Sequence, residues 1–356
     1  MLNSLQACRA MAAILVVLFH ASGSIFALPK YFGHKPFGPI FDFGFAGVDF
    51  FFVLSGFIMM HLHAKDFGQP RALGSYLWKR FSRIYPPYWV VFAVILPVYF
   101  LVPQFGIGHE REPNIFLRGL FLFPHPQSYQ VVGVAWTLVY EVFFYLLFGV
   151  LILNGQVGMS VFAVWTVCVC AYPWFDSYPW NFLFSYLHLR FLLGMTVAIL
   201  LHRWQIPVPR LTAGVGVAIF FGTGLFNAYF RPLTALEQTL GYGLGSAVMV
   251  MGLVQAERLG LLQPPRWLVY LGDTSYSIYL IHFPALSLLA KVTKATQLDL
   301  YVPSSILFCL HVIAAVGVSC VFHHAVEHPI HAWAKRCFRH TNTPAVAADD
   351  VFRKAA

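Results

Sequence analysis

Two ionisable side chains, Arg9 and His20, share one apolar run, LQACRAMAAILVVLFHASGSIFAL at 5–28. Eleven helical residues turn through roughly 1100°, so the pair falls within about 20° of one face and about 16 Å apart along the axis. That spacing is half of a hydrocarbon core about 30 Å thick, which puts Arg9 at one surface and His20 near the middle. Ionisable groups at such depth are costly and mark function by default. A histidine held neutral by burial suits a general base for a hydroxyl nucleophile. The competing use is structural, a hydrogen bond between helices.

Further candidates stand in four other stretches. GVDFFFVLSGF at 47–57 places Asp49 at a depth comparable to His20, where it would orient and polarise the imidazole or serve a structural ion pair. SYLWKRFSRIYPPYW carries Arg80 and Arg83 one turn apart, a fork for phosphate or an anchor among Trp78 and Tyr85. AWTLVYEVFFYLL holds Glu141 with Thr137 four residues earlier, and a buried carboxylate there binds sugar hydroxyls, tunes a base or closes an inter-helix hydrogen bond. YLGDTSYSIYLIHFPA brings Tyr279 and His282 to one face, with Pro284 freeing a backbone carbonyl. The expected arrangement has Asp49, Glu141 and His282 in the outer half, His20 central and the arginines inside. His324, His328 and His331 could share a stripe, but Pro329 interrupts it, so no metal is expected and Glu327 is assigned a basic partner.

These residues need a membrane domain to position them. The chain has 356 residues, 59% hydrophobic and only 10% charged, too few charges to cover a soluble domain. Apolar runs near 5–28, 43–63, 84–103, 132–153, 159–174, 183–201, 211–229, 239–256, 267–290 and 303–325 predict an all-α polytopic protein with about ten transmembrane helices. A cytoplasmic N-terminus puts fifteen of the 23 Lys and Arg inside, and the even count returns the C-terminus to the same side. The net charge of +9 therefore reflects topology, and nucleic acid is not an expected partner. The first run lacks a charged leader and a small-residue cleavage site, so it is expected to be retained. The six Cys show no paired spacing and read as small buried hydrophobes. One membrane domain, 1–335, is followed by a polar, disorder-prone cytoplasmic tail, 336–356. No inverted repeat supports a transporter, although a transporter or flippase for a glycan or small anion is the rival use of buried charges.

Taken together, these stretches resemble acyltransferase family 3, the membrane O-acyltransferases. The matching pieces are Arg9-x10-His20, GVDFFFVLSGF, Arg80-x-x-Arg83 before Ile-Tyr-Pro, WTLVYEVFFY at 136–145, SYSIYLIHFP at 275–284 and VEHP at 326–329. Thr137 stands where the family's Trp-Ser-Leu-x-x-Glu pattern has Ser, and His328 where a basic residue is frequent. The likeness extends to members that produce exopolysaccharide by acylating sugar hydroxyls. The resemblance implies acetyl-CoA or another short acyl-CoA as donor and a cell-envelope glycan or lipid-linked saccharide as acceptor. It also implies a bacterial inner-membrane location beside polysaccharide-assembly proteins. By the same resemblance the first-helix histidine, His20, is essential and the paired arginines, Arg80 and Arg83, handle the donor. The residues' own positions add Asp49 and Glu141 as further catalytic candidates, Arg9 at the donor side, and Tyr279 and His282 in support of the acceptor side.

Overall fold

A computed structural model describes residues 2–341 apart from 107, 126–128 and 176, and among these residues it contains helices and no strand. In chain order the α-helices are α1 Asn3–Phe19, α2 Gly47–His63, α3 Pro70–Leu101, α4 Pro113–Leu120, α5 Trp136–Leu153, α6 Gly155–Cys170 and α7 Trp180–Leu183. They continue as α8 Leu187–Arg203, α9 Pro209–Tyr229, α10 Ala235–Gln238, α11 Leu244–Arg258, α12 Arg266–Asp273, α13 Ser275–Ala295, α14 Ser304–Phe322 and α15 His328–Thr341. Among the described residues, eight helical stretches are long and apolar enough to cross a membrane: 3–26, 38–66, 70–101, 133–153, 180–203, 209–229, 235–258 and 304–336. The protein is an all-α, multi-pass membrane protein.

The other two expected crossings take different forms. The run at 159–174 corresponds to α6, apolar but 16 residues long. The run at 267–290 is divided at Thr274 into α12 and α13. Thr274 Oγ1 donates to the Tyr270 carbonyl at 2.6 Å, and Gly272 lets α12 press directly on the backbone of Gln6 in α1. The polar tail expected at 336–356 begins inside α15, and from 342 onward it lies outside the described residues.

Helix pairing in lipid relies on close backbone approach, because lipid tails remove the hydrophobic advantage of burial. Gly56 of α2 and Gly194 of α8 supply that approach reciprocally. A Cβ on Gly56 would strike the Phe191 backbone, and one on Gly194 would strike that of Val53. Phe52 and Phe144 stack on the two sides of Phe191, with ring centroids 4.6 and 4.3 Å away. Helices α2, α5 and α8 thereby form a rigid block, against which α1, α3 and α13 present their polar side chains.

Candidate active site

Two cavities meet at three arginines. A vestibule of about 640 Å³ lies between the first half of α3, α12 and the 323–335 segment, and a narrower slot of about 70 Å³ runs among α2, α3, α5 and α13. Arg9, Arg80 and Arg83 line both. Arg9 and Arg80 are 7% and 9% exposed, and none of the three forms an ion pair among the described residues. Arg9 and Arg80 are held by neutral contacts instead. Arg9 donates to Gln6 Oε1 at 3.0 Å, and the Gln6 amide donates to Asp273. Arg80 donates to His63 Nε2 at 3.2 Å and lies 5.6 Å from the Tyr145 ring centroid. His63 Nδ1 in turn donates to Asp66 at 2.8 Å, which fixes the tautomer that accepts from Arg80. Pro87 cannot donate to the Arg83 carbonyl, and His331 of α15 meets that carbonyl. Three guanidiniums outside any ion pair among the described residues thus share one opening with Glu141 on the slot side and Asp273 and Glu327 on the vestibule side, an arrangement able to take an anion.

His20 opens a π-helical turn, His20–Phe26, that follows α1 directly. Such turns insert one residue into a helix and recur at functional sites. His20 is not among the residues lining the slot; ring contacts through His282 link it to Tyr279, which does line it. The Tyr279 and His282 rings are 5.9 Å apart, and those of His282 and His20 are 5.0 Å apart. Nδ1 of His20 is 3.0 Å from the Val16 carbonyl, and Nδ1 of His282 is 3.0 Å from that of Ile278. A carbonyl only accepts, so both Nδ1 atoms carry the proton. His282 Nε2 then accepts from His20 Nδ1 across 3.2 Å. The remaining nitrogen, His20 Nε2, is left with its lone pair. Tyr279 is pinned by donating to the Val134 carbonyl at 2.9 Å, with Thr137 Oγ1 2.7 Å away.

This arrangement corrects two expectations. Asp49 does not reach His20: its carboxylate pairs with Arg190 of α8, and both side chains are under 5% exposed. A guanidinium at membrane depth demands a full countercharge, which the neutral imidazole of His20 does not. The side chain in contact with the His20 imidazole is that of His282 instead. Glu141 does not lie apart from the arginines in an outer cluster; it lines the same slot. Its Oε1 accepts from Tyr145 and, at 3.3 Å, from Ser55. Glu327 has the basic partner expected for it, accepting from His323 at 2.8 Å, and it also accepts from Ser277. His324 contacts Tyr270 at 2.9 Å, whereas His328 and His331 line the vestibule. Sequence reasoning missed Arg190, Gln6 and His63. Arg190 alone carried a visible signal, a lone cation inside an apolar helix.

Residues 2–324 match the model of acyltransferase family 3, described as an acyltransferase domain. The chain belongs to acyltransferase family 3. It is 27% identical over 293 residues to the exopolysaccharide production protein ExoZ of Rhizobium meliloti, covering 79% of this chain and 85% of that one. It is 22% identical over 338 residues to the peptidoglycan O-acetyltransferase OatA of Listeria monocytogenes, covering 84% of this chain and 51% of that protein. A third relative, protein 2 in the picA locus of Rhizobium radiobacter, is 32% identical over 156 residues, 38% of this chain and 75% of its own. No solved structure matches. As a family 3 member the protein is a membrane acyltransferase, and all of the cavities' arginines fall within the matched region.

Proposed function

We propose that this family 3 member moves a short acyl group, acetyl first among them, from cytoplasmic acyl-CoA to a hydroxyl of an exopolysaccharide or other cell-envelope glycan. The observation that carries the reading is the waist of three unpaired guanidiniums between a wide vestibule and a narrow slot. The vestibule suits the phosphates of a nucleotide-bearing donor, and the slot admits only a thin chain such as an acyl-pantetheine arm. Relatives named for exopolysaccharide production and for peptidoglycan O-acetylation support the polysaccharide acceptor.

In this reading Arg9, Arg80 and Arg83 hold the donor, and His20 Nε2 acts as general base. It takes the proton from the acceptor hydroxyl as that oxygen attacks the thioester carbonyl carbon. The carbon–sulfur bond then breaks, and the CoA sulfur leaves with the proton that the imidazolium returns. His282 keeps the required tautomer, while Glu141, fixed by Tyr145 and Ser55, shapes the slot beside the reacting carbonyl. Asp49 contributes indirectly, by seating α8 against α2 through Arg190. Both termini lie in the cytoplasm, on the side of the vestibule.

The test is transfer of label from radioactive acetyl-CoA to glycan in isolated membranes. Wild-type membranes should label the glycan, and His20→Ala membranes should not. Labelling by His20→Ala at the wild-type rate would remove His20 from the chemistry, and glycan flux without acylation would favour a transporter.

A further inference from the structure

A third cavity, of about 200 Å³, opens at the N-terminal end of α5. The opposite end of this 18-residue helix abuts the turn before α3, where the Leu151 carbonyl accepts from Gly68 N, and Arg80 of the vestibule lies beside Tyr145, midway along it. One turn of α5 serves two cavities. Thr137 and Glu141 line the slot, and Trp136 and Tyr140 line this outer cavity.

The lining has a distinct chemistry. The Trp136 and Tyr140 rings meet at 90° with centroids 6.0 Å apart, which makes a corner of two aromatic faces, and Tyr172 and Tyr178 add two more. The polar groups among them are amides and hydroxyls, including Gln130 and Asn181, with one imidazole, His125, whose pKa burial and the nearby Arg118 lower, and no Asp, Glu, Lys or Arg is among the described lining residues. Aromatic faces take the apolar C–H faces of a ring, and neutral amides take its hydroxyls. A charged ligand would find no carboxylate, ammonium or guanidinium among the described lining residues.

We propose that this cavity is a subsite for one neutral sugar residue of the acceptor glycan, with Trp136 and Tyr178 as its stacking surfaces and Asn181 among its polar lining. Its volume falls below the range of whole-ligand pockets, about 300–1,000 Å³, and so fits a single residue of a longer chain. The subsite rests on the glycan-acylating reading, which it extends to an uncharged pyranose beside the reacting hydroxyl.

The experiment is saturation-transfer NMR on the full-length protein in lipid nanodiscs, with neutral hexasaccharides of glucose and of galactose as probes. Wild-type protein should transfer saturation to at least one probe. Tyr178→Ala and Asn181→Leu should weaken that binding by about tenfold, and Tyr178→Phe, which keeps the ring, should not. No transfer to either probe, or equal binding by the alanine and leucine variants, overturns the proposal. A parallel acyl-transfer assay separates the two readings. The variants should raise KM for the glycan acceptor with kcat and the acetyl-CoA KM unchanged. A wild-type protein that binds saccharide yet acylates none would defeat the proposed function and leave the subsite standing.

Discussion

Asp49 offers the clearest separation of chemistry from architecture. Replacing it by Ala leaves the Arg190 guanidinium, 3% exposed, without its countercharge between α2 and α8. Breaking a buried pair from one side costs about 3–5 kcal/mol, and translocon scales put a lone central Arg at about 2.5–3.5 kcal/mol. The two ranges meet near 3 kcal/mol. At about 2–4 °C per kcal/mol for a large domain, Asp49→Ala should lower the melting midpoint by roughly 10 °C. Replacing both residues by apolar groups of similar volume removes the stranded charge, and such swaps are often neutral. Asp49→Leu combined with Arg190→Met should therefore recover most of the lost stability and most of the acetyl transfer. The assay pairs size-exclusion-monitored thermal unfolding in detergent with label transfer from acetyl-CoA. An Asp49→Ala protein that melts like wild type but transfers no label would refute the structural assignment. So would a double variant that regains stability and stays inactive, since Asp49 would then be needed at the reacting groups.

Three other outcomes follow from the same geometry. His282→Phe frees His20 Nδ1 from its ring partner, so kcat should fall about 10–100-fold with the acetyl-CoA KM unchanged; an unaltered kcat would show that the tautomer is set elsewhere. Arg83→Gln should raise the acetyl-CoA KM by about tenfold or more and leave the acceptor KM alone, because one charge-assisted contact to phosphate is worth about 1.5–3 kcal/mol; an equal rise in both constants would argue for misfolding. At the loop between α13 and α14, the hydrogen bond from Lys294 holds the Asp299 carboxyl below its usual range. A depressed folded-state value gives stability that is present above the unfolded carboxylate pKa, about 3.9, and lost as pH falls through the folded value. The stability difference between wild type and Asp299→Asn should therefore be constant from pH 5 to 8 and shrink only in stronger acid, as thermal unfolding across pH would reveal.

The helices and the arginine group were legible because each rests on a local rule. Length and apolarity mark a crossing, and Arg80 and Arg83 at i and i+3 meet on one face whatever surrounds them. Partners of buried charges were not legible, since depth is read along one helix whereas partnership depends on rotation of two. Asp49 and His20 share a depth, yet Arg190 of α8 faces Asp49 across the Gly56–Gly194 contact. Glu141 was placed apart from the arginines for the same reason: its height on α5 was visible, but the inward course of α1 and α3 beside it was not. The division at Thr274 was also obscured. Gly272 and Asp273 hint at a break, but what makes one is the pressure of α12 on α1, a contact 267 residues distant in sequence from Gln6 to Asp273.

The three-arginine waist bears on the membrane's permeability barrier. A protein hollowed from both ends risks conducting protons and small cations, which a 100 mV potential drives inward with about 2.3 kcal/mol per charge. A single guanidinium about 4 Å from the path opposes a cation with about 4 kcal/mol at an effective dielectric constant of 20. Arg9, Arg80 and Arg83 line both the vestibule and the slot, so a cation passing from one to the other meets all three. In the proposed reading, the charges that hold an anionic donor would also oppose leakage of the cations whose gradient the cell must keep.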